Sequence, residues 1–200
     1  ETFPVFSADG SSIYYCAADT LPLPRDIEQL RYSLMRVSFD KESGRTGRNV
    51  EVIWNAAERE GSVCHPKCSP DGKWIMYTVA DYGTFPIWHD EADLRMIDLQ
   101  TMQPVDVGVW NDEAQADSYH SWSSDGRWVM YGSRREDGRY THLYLAYFDE
   151  DGNPHKPFLL PQEDPRHNMW RLKSYNVPEF IDGKVALPEE AADLFYSEDK

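Results

Sequence analysis

Apolar and aromatic residues recur in short runs with polar punctuation, and the same pattern returns three times. Each return opens on Ser-x-Asp-Gly, at Ser7–Gly10, Ser69–Gly72 and Ser123–Gly126. An apolar-aromatic run follows each time: Ile13-Tyr14-Tyr15, Ile75-Met76-Tyr77 and Val129-Met130-Tyr131. The aspartates Asp9, Asp71 and Asp125 are 62 and 54 residues apart. Aligning them brings Phe6, Cys68 and Trp122 into one column and Tyr15, Tyr77 and Tyr131 into another. Asp-Gly between two apolar runs signals a hairpin, because glycine accepts positive φ and aspartate bonds the turn backbone. Asp9-Gly10, Asp71-Gly72 and Asp125-Gly126 are therefore read as structural turns, and the aligned tyrosines and the Phe6/Trp122 column as core residues on alternating strands.

A second hairpin follows in each repeat. Its first strand is expected at Leu34–Phe39, Leu94–Leu99 and Leu143–Phe148, and its second at Val50–Trp54, Val105–Trp110 and Phe158–Leu160. Four antiparallel strands per ~50–60 residues describe a β-propeller blade. The predicted fold is all-β, with three blades at about 1–62, 63–117 and 118–175. Residues 176–200 are expected to hold a degenerate fourth repeat, from Pro178-Glu179-Phe180-Ile181-Asp182-Gly183, and an acidic tail with a short helix at Pro188–Leu194.

The pattern Pro66-Lys67-Cys68-Ser69-Pro70-Asp71-Gly72-Lys73-Trp74-Ile75-Met76-Tyr77, with Ala92–Leu99 after it, resembles the TolB-type propeller repeat. The polar stretch Ser133–Gly138 is similar to the loop between hairpins in that family, and the likeness covers roughly residues 1–165. Gly83–His89 and Lys173–Phe180 resemble TolB-like proteins of Bacteroidetes-type bacteria. The resemblance implies a six-bladed parent, with this chain as its C-terminal half, and a periplasmic or otherwise exported, envelope-associated scaffold. The N-terminal domain of true TolB proteins has no counterpart here.

Composition then removes whole classes. With 35 acids against 20 bases the net charge is −15, which repels a phosphate backbone, so no nucleic-acid partner is expected. No run reaches the ~18 apolar residues of a membrane-spanning helix. Three cysteines make no disulfide framework, and Cys64 and Cys68, on one strand, would stand about 13 Å apart. The opening at Glu1 without methionine, and without a leader pattern, suggests a mature product or part of a longer chain.

Candidate chemistry is sparse. His65 and His120 lie at the start of first strands, which approach a propeller's central channel; with His89 they could hold a metal or an anionic ligand. Trp88-His89-Asp90-Glu91 is the densest polar-aromatic cluster, suited to acid-base work or a cation. Arg134 and Arg135 offer forked donors to a carboxylate or phosphate. Trp88, Tyr119 and Trp122 could stack on a sugar. No serine elbow, zinc-protease helix, phosphate loop or paired-cysteine zinc site is present, so no catalytic residue and no cofactor is assigned, and the metal question stays open.

The expected function is a non-catalytic scaffold binding a protein or a small ligand. The alternatives are the propeller part of a hydrolase of the prolyl-oligopeptidase class and a carbohydrate-binding or -processing propeller. The hydrolase reading calls for an α/β-hydrolase sequence after the propeller, and none precedes Lys200. The carbohydrate-processing reading calls for acids where Val5, Lys67 and Ser121 stand. A blade buries both faces against neighbours, so three or four blades alone leave apolar faces open, to be closed by further blades or by a second copy. The mass of the isolated chain by light scattering is accordingly expected to be that of a homodimer; a stable, soluble monomer would count against open faces.

Overall fold

The computed structural model describes residues 1–24, 26–184 and 186. It contains three four-stranded antiparallel sheets in simple meander order. The first is β1 (Thr2–Phe6), β2 (Ser12–Ala17), β3 (Ser33–Asp40) and β4 (Arg45–Trp54). The second is β5 (Ser62–Cys68), β6 (Trp74–Ala80), β7 (Asp93–Asp98) and β8 (Pro104–Val105). The third is β9 (Asp117–Trp122), β10 (Trp128–Ser133), β11 (His142–Tyr147) and β12 (Phe158–Leu159). These are propeller blades, with the edge strands β1, β5 and β9 packed against one another on the inside.

The Ser-x-Asp-Gly turn is built the same way three times. Ser7 Oγ donates to Asp9 at 2.6 Å, Ser69 Oγ to Asp71 at 2.6 Å and Ser123 Oγ to Asp125 at 2.5 Å. Each aspartate then accepts the amide two residues on, from Ser11, Lys73 or Arg127. Each serine oxygen accepts the amide that begins the next strand, from Ser12, Trp74 or Trp128. The glycines take φ of +66°, +72° and +69°, which a Cβ would penalise. These hydrogen bonds favour the ionised carboxyl and hold Asp9, chiefly through Ser7, down at about 2.

Strict alternation fails at one place in every blade, and at the same place. Thr2 pairs with Cys16 and Val5 with Tyr14, so two residues face Tyr15. Likewise His65 and Pro66 face Tyr77, and Tyr119 and His120 face Tyr131. These are β-bulges, and their first residues Phe3, His65 and Tyr119 sit at φ of +53°, +51° and +55°. A left-handed backbone at a bulky side chain is uncommon, and here it recurs blade after blade.

Packing between blades forms two apolar layers. Tyr14, Cys16 and Leu34 of the first blade meet Ile75, Tyr77 and Ile97 of the second. Met76, Leu94 and Met96 of the second meet Val129, Tyr131 and Phe148 of the third, with Trp110 between them. Phe148 makes edge contacts with three tryptophans, Trp74, Trp110 and Trp122, at centroid distances of 5.5, 5.8 and 5.7 Å. The tyrosine column thus points at the preceding blade. Tyr77 and Tyr131 are buried by it, whereas Tyr15 and Phe6 lie on the outer face of the first sheet, where Phe6 is 53% exposed. That face also exposes Val50 and Val52.

Three expectations are corrected. Phe6, expected in the core, is exposed because no described blade covers the outer face of the first sheet. Val105–Trp110 is not one strand: β8 ends at Val105, and Gly108–Trp110 is a 3-10 turn that drops Trp110 into the core, its indole donating to His155 O at 2.9 Å. Pro178–Lys184 forms no strand, while Val185, Leu187 and the Pro188–Leu194 helix lie outside the described residues. A four-residue helix, α1 (His167–Trp170), precedes this stretch.

Truncating Phe148 to alanine is expected to lower the unfolding free energy by about 3–5 kcal/mol, as for a fully buried aromatic. Phe6→Ala is expected to cost under about 1 kcal/mol. Urea unfolding of the two variants checks the contrast; equal losses would contradict the packing described.

Candidate functional site

The bulges set the first part of the site. Because Phe3, His65 and Tyr119 each lead a bulge on an inside strand, their rings converge. His65 lies 4.1 Å from Phe3 and 5.0 Å from Tyr119, centroid to centroid. Each blade contributes one ring to this row. His65 and Tyr119 were legible as candidates, but Phe3 was not. Its only signal was sharing their column, six positions before the turn aspartate.

His120 follows Tyr119 in its bulge and is fully buried, with Nε2 3.1 Å from Met76 O. Burial depresses both histidines, His65 to about 4 and His120 to about 3, with Lys67 adding to the first and His65 to the second. Both are neutral at pH 7. The facing strands β5, β6 and β9 also bury His65 Nδ1, Thr78 Oγ1, Ser118 Oγ, His120 Nδ1 and Ser121 Oγ with no protein partner among the described residues.

His89 does not join this pair. It contacts Glu91 Oε1 at 2.9 Å and packs edge-on against Tyr82 at 4.4 Å, while Glu91 also accepts the Asp81 amide at 3.1 Å. Among the described residues no three His, Cys, Asp or Glu side chains gather as a metal site, so His65, His89 and His120 do not form the metal set that their positions suggested. Asp90 is exposed beside this loop. All three cysteines are free; Cys16 and Cys64 are buried, and burial raises both thiols, Cys64 to about 12.

The two adjacent arginines have separate surroundings. Arg135 turns into the third blade, donating to Asp117 at 2.6 Å and Trp110 O at 2.5 Å and stacking 4.5 Å from the Tyr144 centroid. Asp117 is buried; desolvation raises its carboxyl to about 6, and Arg135 limits that rise. This is an internal tie, in which Asp117 is fully enclosed and the Arg135 side chain is 16% exposed. Arg134 turns to the loops, donating to Ile87 O at 3.0 Å and Arg139 O at 3.2 Å. Its guanidinium lies 5.4 Å over the ring of Trp88, which closes the 3-10 turn Pro86–Trp88 and is 74% exposed. Between Trp88, Tyr119, Arg134 and the segment Ser174–Asn176 lies a cavity of about 330 Å³. The structure therefore brings Trp88, Tyr119 and Arg134 together from three distant stretches. Arg139 and Tyr175 also line the cavity; neither was a candidate from the sequence, although Tyr175 lies in the stretch Lys173–Phe180 noted there for its resemblance.

No protein-family model matches the chain, and no curated protein matches it in sequence. Solved structures do match in fold. A puromycin-hydrolyzing peptidase from Mycobacterium tuberculosis superposes with a TM-score of 0.55 at 13% identity, over 80% of this chain and 23% of that one. The β-propeller domain of the Trilobed protease from Pyrococcus furiosus gives 0.47 at 16% identity, over 81% and 43%. The chain is a β-propeller. It spans less than half the length of these structures.

Stability should follow the neutral histidines. An unfolded histidine takes up its proton near pH 6.5, whereas folded His65 resists protonation down to about 4. The stabilisation is complete above pH 6.5 and is lost as the pH falls through the folded value. His65→Phe places at this bulge the residue that already occupies the same position in the first blade. The loss of unfolding free energy between pH 7 and pH 4 is expected to shrink by about 3 kcal/mol in that variant, read from urea unfolding at both pH values. An unchanged pH slope would contradict the burial of His65.

Proposed function

We propose that this chain is the propeller part of a larger hydrolase of the peptidase type, and that it binds and guides a peptide while cleavage takes place elsewhere. The observation that carries the reading is the row Phe3–His65–Tyr119, one ring per blade, leading to the cavity beside Trp88. Rings held on a constrained backbone lose little side-chain entropy on contact, and such a row suits an extended, partly apolar chain. The fold likeness to the puromycin-hydrolyzing peptidase, over 80% of this chain, supports the choice of class. No nucleophile motif is recognised in the sequence, and the reading assigns cleavage to another part of the parent protein.

A second reading is a TolB-like binding scaffold, exported to the bacterial envelope. It is supported by the repeated turn, of which Ser69-Pro70-Asp71-Gly72-Lys73 is the fullest copy, and by the open apolar face around Phe6, Val50 and Val52, which further blades or a second copy would cover.

Capture from extracts of the source cells, with the tagged chain as bait and a fluorophosphonate label as reporter, separates the two. Under the first reading a labelled serine hydrolase is recovered, as a continuous parent chain or as a bound partner, and the bait itself stays unlabelled. Recovery of unlabelled envelope proteins would overturn that reading and favour the second.

A further inference from the structure

The lining of the cavity beside Trp88 runs against the charge balance of the chain. Acids outnumber bases 35 to 20 over the chain, yet no acid lines this cavity and two arginines do. Arg36, Arg95, Arg127, Arg135 and Arg166 each hold a carboxylate, while Arg134, Arg139 and Arg171, like Arg31, Arg45, Arg48 and Arg59 elsewhere, have no ion-pair partner among the described residues. The nearby Asp137 is occupied with the amides of Arg139 and Tyr140.

Arg134 is fixed in place, because its two terminal nitrogens donate to Ile87 O and Arg139 O. Carbonyl partners orient a guanidinium without neutralising it. Of its five N–H donors three remain free, and the positive charge stays on the cavity wall. Arg139 is exposed at the same opening. Arg171 stacks 4.0 Å from the centroid of Tyr175 at the far wall. That wall is pinned to Thr141, the residue before β11: Tyr175 N–H donates to Thr141 O at 2.9 Å, and Ser174 Oγ accepts the Thr141 amide at 3.1 Å. Trp88, Tyr119 and Tyr175 supply flat apolar surface beside the charge. The volume of about 330 Å³ is at the lower end of the ~300–1,000 Å³ seen for small-molecule sites.

We propose that this cavity binds an organic carboxylate carried next to an aromatic group, with Arg134 and Arg139 taking the carboxylate and Trp88 the ring. Under the function proposed above, that ligand is the C-terminal end of a peptide with an aromatic last residue; only this identification rests on the peptide-binding reading. A guanidinium is a strong charge-assisted donor to a carboxylate, and the aromatic wall selects its neighbour. The surrounding negative charge works against ligands of higher charge.

The test is calorimetric titration of the intact chain with acetyl-Gly-Phe, its C-terminal amide and 3-phenylpropionate. The free acid is expected to bind, with the amide weaker by about tenfold or more. Arg139→Gln, which removes an exposed side chain, and Trp88→Ala are each expected to weaken acid binding by about tenfold, with thermal melting unchanged. Arg45→Gln, on β4 of the first blade, is expected to bind as the parent does. Raising the salt concentration should weaken binding, since the charges are open to solvent. Equal affinity for acid and amide, no effect of Arg139→Gln, or binding of inorganic phosphate in place of the acids would overturn the proposal. If 3-phenylpropionate binds with the same Arg139 dependence and acetyl-Gly-Phe does not, the carboxylate site stands and the peptide-binding reading fails.

Discussion

Each blade is organised around a tyrosine that faces two residues instead of one. The bulge opposite Tyr15, Tyr77 and Tyr131 interrupts the ladder of the innermost strand, bends it, and turns the leading side chain out of the sheet's alternation. Without it, Phe3, His65 and Tyr119 would follow the pleat and could not converge as one row of rings. The left-handed backbone at these bulky residues costs on the order of 1–3 kcal/mol each. It persists because the tyrosine columns of the second and third blades are buried in the adjoining interfaces, and shifting the register would expose them.

The same interfaces explain why chemically similar neighbours have different roles. Arg134 and Arg135 are adjacent, and the sequence treats them as one basic pair. One is drawn inward by Asp117 and the tyrosines of its blade; the other is held outward by two loop carbonyls. A guanidinium inside the blade needs its carboxylate, since an unpaired buried charge costs several kcal/mol. At the cavity the charge remains solvated and available. His120 and His89 divide in the same way, one enclosed between strands and neutral, the other bound to Glu91 on a loop.

Much of the fold was legible because it is written in local chemistry. Asp9-Gly10, Asp71-Gly72 and Asp125-Gly126 close their turns with hydrogen bonds spanning at most five residues. The flanking apolar runs give the first two strands of every blade, and β3, β7 and β11 begin and end within one residue of the expected limits. The fourth strands were less legible. Only Val105 of the expected strand Val105–Trp110 pairs in the sheet, with Pro104 before it, because Trp110 is worth more as a core residue between blades than as a strand residue at the rim.

The sequence by itself determined the all-β class, the repeat, the hairpin turns and the acidic surface, since each depends on residues close together in the chain. Tertiary structure alone decided which residues meet: Phe3 with His65, Trp88 with Arg134, and Tyr175 with Arg139 around one cavity. The physical reason is that the bulge residue, the loop carbonyls and the pinned segment Ser174–Asn176 come from different blades or from beyond the last one. Their positions follow from how the sheets stack, and no run of neighbouring residues encodes that stacking.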